Sequence, residues 1–315
     1  MQDTVLITGG AGFIGSNIAH ELVRRNYRVK ILDNLSTGYL KNLETILDDI
    51  EFIEGDINDT ILLDKILPGV DFILHQAALP SVPRSINNPL QSHHNNITGT
   101  LNLLTSAKKN NIKRVVIASS SSIYGNREAD KKTEDLRPQP LSPYAVTKYA
   151  CEVYAKVFSH IYGLETVCLR YFNVFGPKQD PNSPYAAVIP LFVKAIQNNQ
   201  QPIIFGDGSQ SRDFTFVANN VEANILAMHS TTVGQGETIN IACGQSYSLI
   251  DLVNKINKIL QKNIKPNFTN NRPGDVQKSL ADISKAKKML NYEPIESFDN
   301  GLEKTVQWII KQNAR

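Results

Sequence analysis

The hydrophobic pattern of the first half of the chain alternates between two periods. Short runs rich in Val, Ile and Leu predict strands at residues 5–8, 29–33, 72–76, 115–119 and 166–171. The stretches between them, whose apolar residues recur at helical spacing, predict helices that include residues 14–25, 96–110 and 143–161. Apolar strands separated by amphipathic helices are typical of a parallel sheet covered on both faces.

The pattern loosens after residue 173, where loops rich in Pro, Asn and Gly appear at residues 176–190 and 206–211. Strand-like runs return at residues 214–217 and 238–242, so a second lobe is expected to interleave with the first. We predict an α/β protein with a doubly wound parallel sheet and a smaller, interleaved C-terminal lobe. The sheet domain is assigned to residues 1–173 with returning strands at about 214–243, and the lobe to residues 174–213 and 244–315.

Composition and charge narrow the class of protein. The 315 residues are 41% hydrophobic and carry a formal net charge of +3, without the clustered basic face that nucleic-acid or membrane-surface binding requires. We therefore expect no nucleic-acid partner and no membrane partner. The chain opens directly on a strand-like run and has no apolar stretch of the ~20 residues that a membrane span needs, which favours a cytoplasmic protein.

The cysteines and histidines indicate neither a disulfide framework nor a metal site. Cys151, Cys168 and Cys243 are too few and too scattered for a set of disulfide bonds or a zinc motif. The six histidines include the adjacent His93 and His94, and none has the spacing of a metal-ligand set. We expect no bound metal.

A glycine-rich turn at residues 8–15 follows the first predicted strand and opens the first predicted helix. Its glycines allow a tight turn, a close approach of the backbone to a pyrophosphate, and close packing of helix against strand. The anion would then lie on unpaired N–H groups at the helix N-terminus. Asp33 ends the second predicted strand, where a carboxylate would bind an adenosine ribose and repel a 2′-phosphate. Since residues 34–38 contain no Arg or Lys, NAD is favoured over NADP as the cofactor.

Tyr144 and Lys148 are four residues apart on a predicted helix that begins at Pro143, so both side chains lie on one face. A free tyrosine has a pKa near ~10 and is a poor base at neutral pH, but a nearby ammonium favours the phenolate. The pair alone is a weak signal, because this spacing also occurs by chance. Four serines from Ser119 to Ser122 end a predicted strand, which is where open α/β sheets place ligand contacts. A solvated serine-rich turn is the alternative interpretation.

Taken in order, these features resemble the extended short-chain dehydrogenase/reductase family over essentially the full length of the chain. Asp56, the string of residues 75–78 and Asn96 add to this resemblance. The resemblance implies a Rossmann-type fold that binds NAD tightly. The catalytic residues that it implies are Ser120, Tyr144 and Lys148. The cofactor-binding residues that it implies are Gly9, Gly12, Phe13, Ile14, Gly15, Asp33, Asn34, Ser36, Thr37, Gly38, Asp56, Ile57, Gln76, Ala77, Ala78, Asn96, Tyr144, Lys148, Tyr171 and Phe172.

Within that family, downstream strings resemble the UDP-hexose 4-epimerases that act on N-acetylated sugars. These strings lie at residues 169–177, 185–190, 206–214 and 272–276. Arginines suit the diphosphate of such a substrate, because a planar guanidinium can donate two hydrogen bonds at once. The substrate-binding residues that the resemblance implies are Ser81, Ser120, Ser121, Ser122, Tyr144, Asn173, Ala187, Val188, Phe205, Arg212, Arg272, Asp275 and Ser279.

The resemblance implies reversible C4 epimerisation of a UDP-hexose, through hydride transfer to NAD and a 4-keto intermediate. Ser279 aligns with a position that is bulky in epimerases restricted to plain hexoses, so UDP-GlcNAc and UDP-GalNAc are expected substrates. Ser81 lies in a loop that resembles the one contacting the acetamido group. Pro80 occupies a position that is usually Gly in the corresponding loop of epimerases acting on N-acetylated sugars. A strict preference for N-acetylated sugars is therefore not expected, and UDP-Glc and UDP-Gal are also expected substrates.

Three alternative functions share parts of this pattern. A UDP-glucuronate 4-epimerase has the serine cluster and the string at residues 272–276, but typically lacks the Tyr-Phe-Asn of residues 171–173. A sugar-nucleotide dehydratase resembles the pattern Thr-Asp-Glu where this chain has three serines at residues 120–122. A catalytically silent NAD-binding protein would not need the catalytic residues that are present here. The family commonly dimerises through two helices, here residues 96–110 and 144–161, so a homodimer is expected.

Overall fold

The computed structural model describes residues 2–180, 187–270 and 277–313. Its strands, in chain order, are β1 (Thr4–Thr8), β2 (Arg28–Asp33), β3 (Ile50–Glu54), β4 (Phe72–His75), β5 (Arg114–Ser120), β6 (Glu165–Tyr171), β7 (Val174–Phe175), β8 (Ile203–Phe205), β9 (Ser211–Arg212), β10 (Thr215–Phe216), β11 (Gln235–Ile241), β12 (Tyr247–Ser248), β13 (Asn267–Thr269) and β14 (Lys278–Ser279). Its α-helices are α1 (Phe13–Arg24), α2 (Thr60–Ile66), α3 (Val82–Asn87), α4 (Pro89–His93), α5 (Gly99–Lys109), α6 (Pro143–Tyr162), α7 (Val188–Gln197), α8 (Val217–His229), α9 (Leu249–Leu260), α10 (Ser284–Leu290) and α11 (Phe298–Asn313). Shorter helical segments are the 3-10 turns Leu40–Asp49 and Ser121–Tyr124 and the π-helical turn His94–Thr98.

Seven strands of this part of the chain form one parallel sheet in the order β11-β6-β5-β4-β1-β2-β3. Every residue of β1 and β4 is buried, as expected for strands covered by helices on both faces. The strand order reverses between β1 and β4, where open α/β sheets bind their ligands. The predicted α/β class with a Rossmann-type doubly wound sheet is confirmed.

The edges of the sheet differ from the pattern-based prediction. The strand β3 was not predicted, because it pairs with β2 at the edge and has no fully buried residue that would demand an apolar run. The run at residues 238–242 lies largely in β11, which pairs with β6 at the other edge. The strand expected at residues 214–217 is reduced to β10, which pairs with β7 outside the main sheet.

Two apolar layers cover the sheet, because successive residues of a strand point to opposite faces. Leu6 packs in the layer beneath α2, α5 and α6. Val5 and Ile7 pack in the opposite layer, which lies beneath α1 and α8. That layer continues into the C-terminal lobe, where it includes Phe175 and Leu252. The lobe therefore shares its core with the sheet domain.

Short strands organise the C-terminal lobe into the sheet β12-β9-β14 and the pairs β7-β10 and β8-β13. The Asp213 carboxylate joins these pieces by accepting hydrogen bonds from the backbone N–H groups of Cys243 at 3.0 Å, Gly244 at 3.0 Å and Ala281 at 3.2 Å. Burial raises the pKa of Asp213 to about 7, in opposition to these donors, which favour the carboxylate. Asp213 thereby holds β9 close to the ends of β11 and β14.

None of the helices within the described ranges is both long and apolar enough to span a membrane. The same ranges contain no group of three or more His, Cys, Asp or Glu side chains arranged to hold a metal ion. The three cysteines are free thiols, and those of Cys151 and Cys168 are buried.

Candidate active site

A cavity of about 760 Å³ lies at the carboxyl ends of the sheet strands, across the crevice between β1 and β4. Its volume is in the range of small-molecule and cofactor sites. The predicted site residues that line it are Gly9, Gly12, Phe13, Ile14, Gly15, Asp33, Asn34, Ser36, Thr37, Asp56, Ile57, Gln76, Ala77, Ala78, Ser81, Tyr144, Lys148, Tyr171 and Ala187.

The glycine-rich turn forms one wall of this cavity. Gly9 has a φ of +69°, and a Cβ there would lie 2.7 Å from the backbone N and Cα of Ala77. A Cβ on Gly15 would overlap the carbonyl oxygen of Gly9. Gly12 caps α1 without a side-chain hydrogen bond, so N–H groups of the first turn stay available to an anion. The turn therefore has the form of a pyrophosphate cradle.

The acidic residues of the cavity are held in place by hydrogen bonds. Asp33 accepts from the backbone N–H groups of Ala11 at 2.9 Å and Leu35 at 2.8 Å. Burial raises the pKa of Asp33, and these backbone donors oppose that rise. A Cβ on Gly38 would lie 3.0 Å from Asp33 Oδ2, so Gly38 leaves room for this carboxylate without lining the cavity itself. Asp33 presents acceptors suited to a ribose.

Asp56 lies further along the same wall. Its carboxylate accepts hydrogen bonds from Asn34 Nδ2 at 2.6 Å and from the backbone and side chain of Asn58 at 2.8 and 2.9 Å. Burial would raise the pKa of Asp56, but these donors hold it below its ordinary value. Asp56 is therefore an ionised acceptor that anchors Asn34 at the cavity wall.

The predicted catalytic pair lies on α6, which starts at Pro143 with Ser142 Oγ accepting from the backbone N–H of Ala145 at 3.2 Å. Lys148 Nζ donates a 2.8 Å hydrogen bond to the carbonyl of Ala118 in β5 and lies 6.0 Å from the centre of the Tyr144 ring. Both side chains line the cavity. The helix therefore places a tyrosine hydroxyl and an ammonium together beside the end of β5.

The serine cluster follows directly on β5. Ser120 Oγ accepts hydrogen bonds from the backbone N–H of Ser122 at 3.2 Å and from Ser122 Oγ at 2.9 Å. Ser120 pairs in register with Tyr171, which lines the cavity, whereas Ser120, Ser121 and Ser122 themselves are half-buried and do not line it. Ser119, one residue earlier, does line it. The cluster thus lies at the cavity margin.

A hydrogen-bond chain fixes the floor of the cavity. Tyr171 Oη donates to Gln76 Oε1 at 3.2 Å and accepts from Asn224 Nδ2 at 2.7 Å. Gln76 Nε2 donates in turn to Asn224 Oδ1 at 3.1 Å. Burial raises the pKa of Tyr171 to about 12, so its hydroxyl stays protonated and serves as a fixed donor.

Three of the predicted substrate residues, Arg212, Ser279 and Asn173, lie on or next to β9. Arg212 pairs in register with Ser279 of β14, and Ser279 is buried without lining the cavity. Asn173 has a φ of +37° and donates from Nδ2 to the carbonyl of Asp213 at 3.2 Å. Phe205 ends β8 with an exposed ring, and Val188 begins α7. Two further predicted residues, Arg272 and Asp275, lie outside the described residues.

Comparison with known proteins identifies the family. The family model described as GDP-mannose 4,6 dehydratase matches residues 6–305. The chain belongs to this family, within the extended short-chain dehydrogenases/reductases. The resemblance carried by the motifs is thereby confirmed.

Several members of the family with a known structure or function are similar over nearly the full length. A UDP-N-acetylglucosamine 4-epimerase from Methanobrevibacter ruminantium, solved in complex with UDP-N-acetylmuramic acid, is 44% identical with a TM-score of 0.94 and coverage of 99% of this chain and 100% of that chain. A UDP-glucuronic acid 4-epimerase from Bacillus cereus, solved with UDP-glucuronic acid and NAD, is 33% identical with a TM-score of 0.91 and coverage of 98% and 99%. A UDP-glucose 4-epimerase from Mycolicibacterium smegmatis is 36% identical over 309 residues, which are 96% of this chain and 97% of that protein.

NAD is the cofactor of this short-chain dehydrogenase/reductase, as predicted. The residues present fit it. The turn around Gly9, Gly12 and Gly15 leaves the space and the donors that a pyrophosphate needs. Asp33 presents an acceptor to a ribose and would repel a 2′-phosphate.

The structure places two predicted cofactor residues of this short-chain dehydrogenase/reductase, Asn96 and Phe172, outside the cavity lining. Asn96 is 1% exposed, and its side chain is bonded to the backbone N–H of Leu79 at 2.7 Å and to Thr147 Oγ1 at 3.0 Å. Phe172 is fully buried and packs against Tyr124, because it points to the opposite face of the sheet from Tyr171. Both side chains support the cavity wall from behind.

Further residues that sequence reasoning did not assign to the site also line the cavity, among them Tyr39, Arg84, Asn95, Gln179 and Asp180. Asn95 does so because the π-helical turn His94–Thr98 shifts the helical register there, which no ideal period predicts. The other four come from loops and short helices whose position depends on distant contacts.

Proposed function

We propose that this NAD-dependent UDP-sugar 4-epimerase interconverts UDP-GlcNAc and UDP-GalNAc and also acts on UDP-Glc and UDP-Gal. The observation that carries the proposal is the placement of Tyr144 and Lys148 together in the cavity, beside a β5 end that bears serines. The similar UDP-N-acetylglucosamine 4-epimerase from Methanobrevibacter ruminantium supports the N-acetylated substrate.

When bound, NAD would accept a hydride from C4 of the sugar and return it. Tyr144 removes the proton from the O4 hydroxyl as general base and returns it during reduction. The Lys148 ammonium, held at the Ala118 carbonyl, lies 6.0 Å from the centre of the Tyr144 ring and would donate towards the cofactor ribose. Ser120 hydrogen-bonds O4 and relays its proton. The 4-keto sugar then turns about its diphosphate link and presents its opposite face for reduction.

A dehydratase would need a carboxylic acid pair at the end of β5, where this chain has Ser120, Ser121 and Ser122. Glu152, which approaches the same strand from α6, is engaged with Arg170 in a buried ion pair at 2.7 Å. Neither its charge nor its position suits elimination from a sugar. Epimerisation is therefore favoured over dehydration.

One observation favours UDP-glucuronate as an alternative substrate. Arg84 lines the cavity three residues after Ser81, and a guanidinium pairs well with a sugar carboxylate. Asp180 lines the same cavity and would repel that carboxylate. We therefore rank UDP-glucuronate below the N-acetylated sugars.

Steady-state epimerisation of UDP-GlcNAc, UDP-Glc and UDP-glucuronate, measured in parallel, tests the proposal. We expect the highest kcat/KM with UDP-GlcNAc and the lowest with UDP-glucuronate. A preference for UDP-glucuronate would replace the proposal with the alternative. Absence of turnover with all three would identify a catalytically silent NAD-binding protein.

Ser279→Tyr tests the space around the C2 substituent. If Ser279 borders this substituent, the larger side chain should occupy the room of the acetamido group. Overfilling a packed site costs about 1–3 kcal/mol, which corresponds to a loss of roughly ten- to a hundred-fold in kcat/KM. We expect this loss with UDP-GlcNAc and UDP-GalNAc, and little loss with UDP-Glc and UDP-Gal.

Ser279→Ala is the matched control, because it keeps a small side chain at this buried position. It should leave the ratio of kcat/KM for UDP-GlcNAc to that for UDP-Glc unchanged. If Ser279→Tyr also leaves this ratio unchanged, or lowers both activities equally, Ser279 has only a packing role at β14.

We also propose a homodimer built on the two helices predicted from the family resemblance, here α5 and α6. Exposed apolar side chains recur along α6 at helical spacing and form one stripe. The stripe consists of Val146, Tyr149, Val153, Val157 and Ile161. A stripe of this kind suits the self-complementary interface of a two-fold dimer.

Val153→Glu should shift the protein from dimer to monomer, because it places a charge at the middle of the α6 stripe, where Val153 is 47% exposed. Light scattering coupled to size-exclusion chromatography measures the mass. Ile295→Glu is the control, since Ile295 is 62% exposed in the loop between α10 and α11 of the C-terminal lobe. A wild-type monomer, or a Val153→Glu dimer, would contradict this interface.

A further inference from the structure

Residues 177–180, which we call the strap, follow β7 and reach from the C-terminal lobe to the sheet domain. At the middle of the strap, Lys178 Nζ donates a 2.8 Å hydrogen bond to the backbone carbonyl of Asn42. Lys178 has a φ of +72°, which is uncommon for a residue with a side chain. Burial lowers the pKa of Lys178 to about 8, so the ammonium is the main form at neutral pH. A half-buried cation on a left-handed backbone persists only where its contacts compensate for both costs.

Asn42 links Lys178 to the glycine-rich turn. The Nδ2 group of Asn42 donates a 2.9 Å hydrogen bond to the carbonyl of Ala11, which lies within that turn. The carbonyl of Asn42 also lies 3.0 Å from His20 Nε2 on α1. Lys178 is thereby connected, through one buried residue, to the backbone that cradles the pyrophosphate.

Two further contacts join the ends of the strap to the same region. Asn17 Nδ2 donates to the carbonyl of Pro177 at 3.2 Å. Tyr39 Oη donates to Asp180 Oδ2 at 3.0 Å. The strap is therefore attached on both sides of Lys178 to the elements that surround the cofactor turn.

The strap and the glycine-rich turn both line the same cavity. Phe13 and Tyr39 line it from the sheet domain, and Gln179 and Asp180 line it from the strap. We propose that the strap retains NAD in this cavity between turnovers, with Lys178 as the positioning residue that holds it against the sheet domain. This inference rests on NAD as the resident cofactor of the proposed function. Retention suits an epimerase, because each catalytic cycle regenerates the cofactor that it uses.

The contribution of Lys178 can be measured as a rate of release. NAD can leave only from molecules in which the strap is detached from the sheet domain. Each contact between the strap and the sheet domain lowers the fraction of such molecules. A hydrogen bond from a charged donor contributes more than one from a neutral donor. Removal of the Lys178 contact should therefore accelerate NAD release by about ten-fold or more, and removal of the Tyr39 contact by a smaller factor.

The experiment uses holoenzyme that retains NAD from expression, diluted into excess isotopically labelled NAD. Mass spectrometry follows the exchange of bound for labelled cofactor in wild type, Lys178→Met and Tyr39→Phe. Lys178→Met removes the donor and keeps most of the apolar stem. Lys258→Met, at an exposed lysine of α9, is the matched control and should exchange NAD at the wild-type rate.

The possible outcomes distinguish a failure of the strap proposal from a failure of the NAD assignment. Faster exchange in Lys178→Met and Tyr39→Phe, but not in Lys258→Met, supports the strap. If wild type retains NAD and all variants exchange it at the same rate, the strap is overturned and the proposed function stands. If Lys178→Met does not fold, exchange in Tyr39→Phe decides, and a wild-type rate there overturns the strap. Wild-type protein that carries no NAD would overturn the cofactor assignment and the strap together.

Discussion

Tyr144→Phe is expected to lower the turnover of UDP-GlcNAc by about 100-fold or more, the range that general acid–base groups supply. The hydroxyl lies in the cavity with Lys148, whose Nζ is 6.0 Å from the centre of the tyrosine ring. Phenylalanine keeps the ring and its packing, so the loss should appear in kcat. NAD should stay bound, because the substitution leaves unchanged the glycine-rich turn and Asp33, which we expect to hold its pyrophosphate and ribose.

Steady-state kinetics and mass spectrometry of the bound cofactor provide the two measurements for this variant. Tyr162→Phe is the matched control, since Tyr162 ends the same helix and is 51% exposed. That variant should have wild-type kcat. Near-normal activity of Tyr144→Phe would remove Tyr144 from its assigned role, whereas loss of NAD together with activity would indicate a cofactor-binding defect instead.

Glu152→Gln is expected to lower the free energy of unfolding by about 3–5 kcal/mol, because it leaves a buried charge without its partner. Glu152 and Arg170 are 4% and 3% exposed and form two hydrogen bonds at 2.8 and 2.7 Å. Arg170 also donates to Tyr124 Oη at 2.8 Å, and Tyr124 Oη donates to Asn240 Oδ1 at 2.7 Å. The pair thus connects α6 to β6 and β11 beneath the catalytic end of the sheet.

Urea unfolding followed by circular dichroism measures this loss. Asp64→Asn is the control, because it removes one partner of the exposed Asp64–Lys109 ion pair and should cost less than about 1 kcal/mol. Adding Arg170→Met to Glu152→Gln should recover part of the stability, since no unpaired charge then remains buried. Equal stability of Glu152→Gln and Asp64→Asn would show that the buried pair contributes no more than a surface pair.

Much of the sheet domain could be predicted because its signals are local. A parallel strand covered on both faces needs a continuous apolar run, which Val5-Leu6-Ile7 shows directly. The glycine-rich turn and the Tyr144–Lys148 pair depend on spacings of a few residues, which secondary structure converts into a defined geometry. The edge strand β3 has no fully buried residue, so its sequence carries a weaker signal.

Other features depended on the register of single elements. Asn95 and Asn96 are adjacent, yet the π-helical turn places Asn95 at the cavity and Asn96 beneath Leu79. Tyr171 and Phe172 are also adjacent, and strand alternation sends Tyr171 to the cavity and Phe172 to the core. The family resemblance implied Asn96, Tyr171 and Phe172 as site residues, whereas in the structure Asn95 and Tyr171 line the cavity.

The sequence by itself determined the fold class, the glycine-rich turn and the Tyr144–Lys148 pair, because each depends on residues that are close in the chain. Tertiary structure decided which distant segments complete the cavity, including Arg84 and the strap. It also decided that Arg212 and Ser279 lie side by side in β9 and β14. The physical reason is that a hydrophobic period specifies which face of an element is buried, whereas the partner of that face depends on the packing of the whole chain.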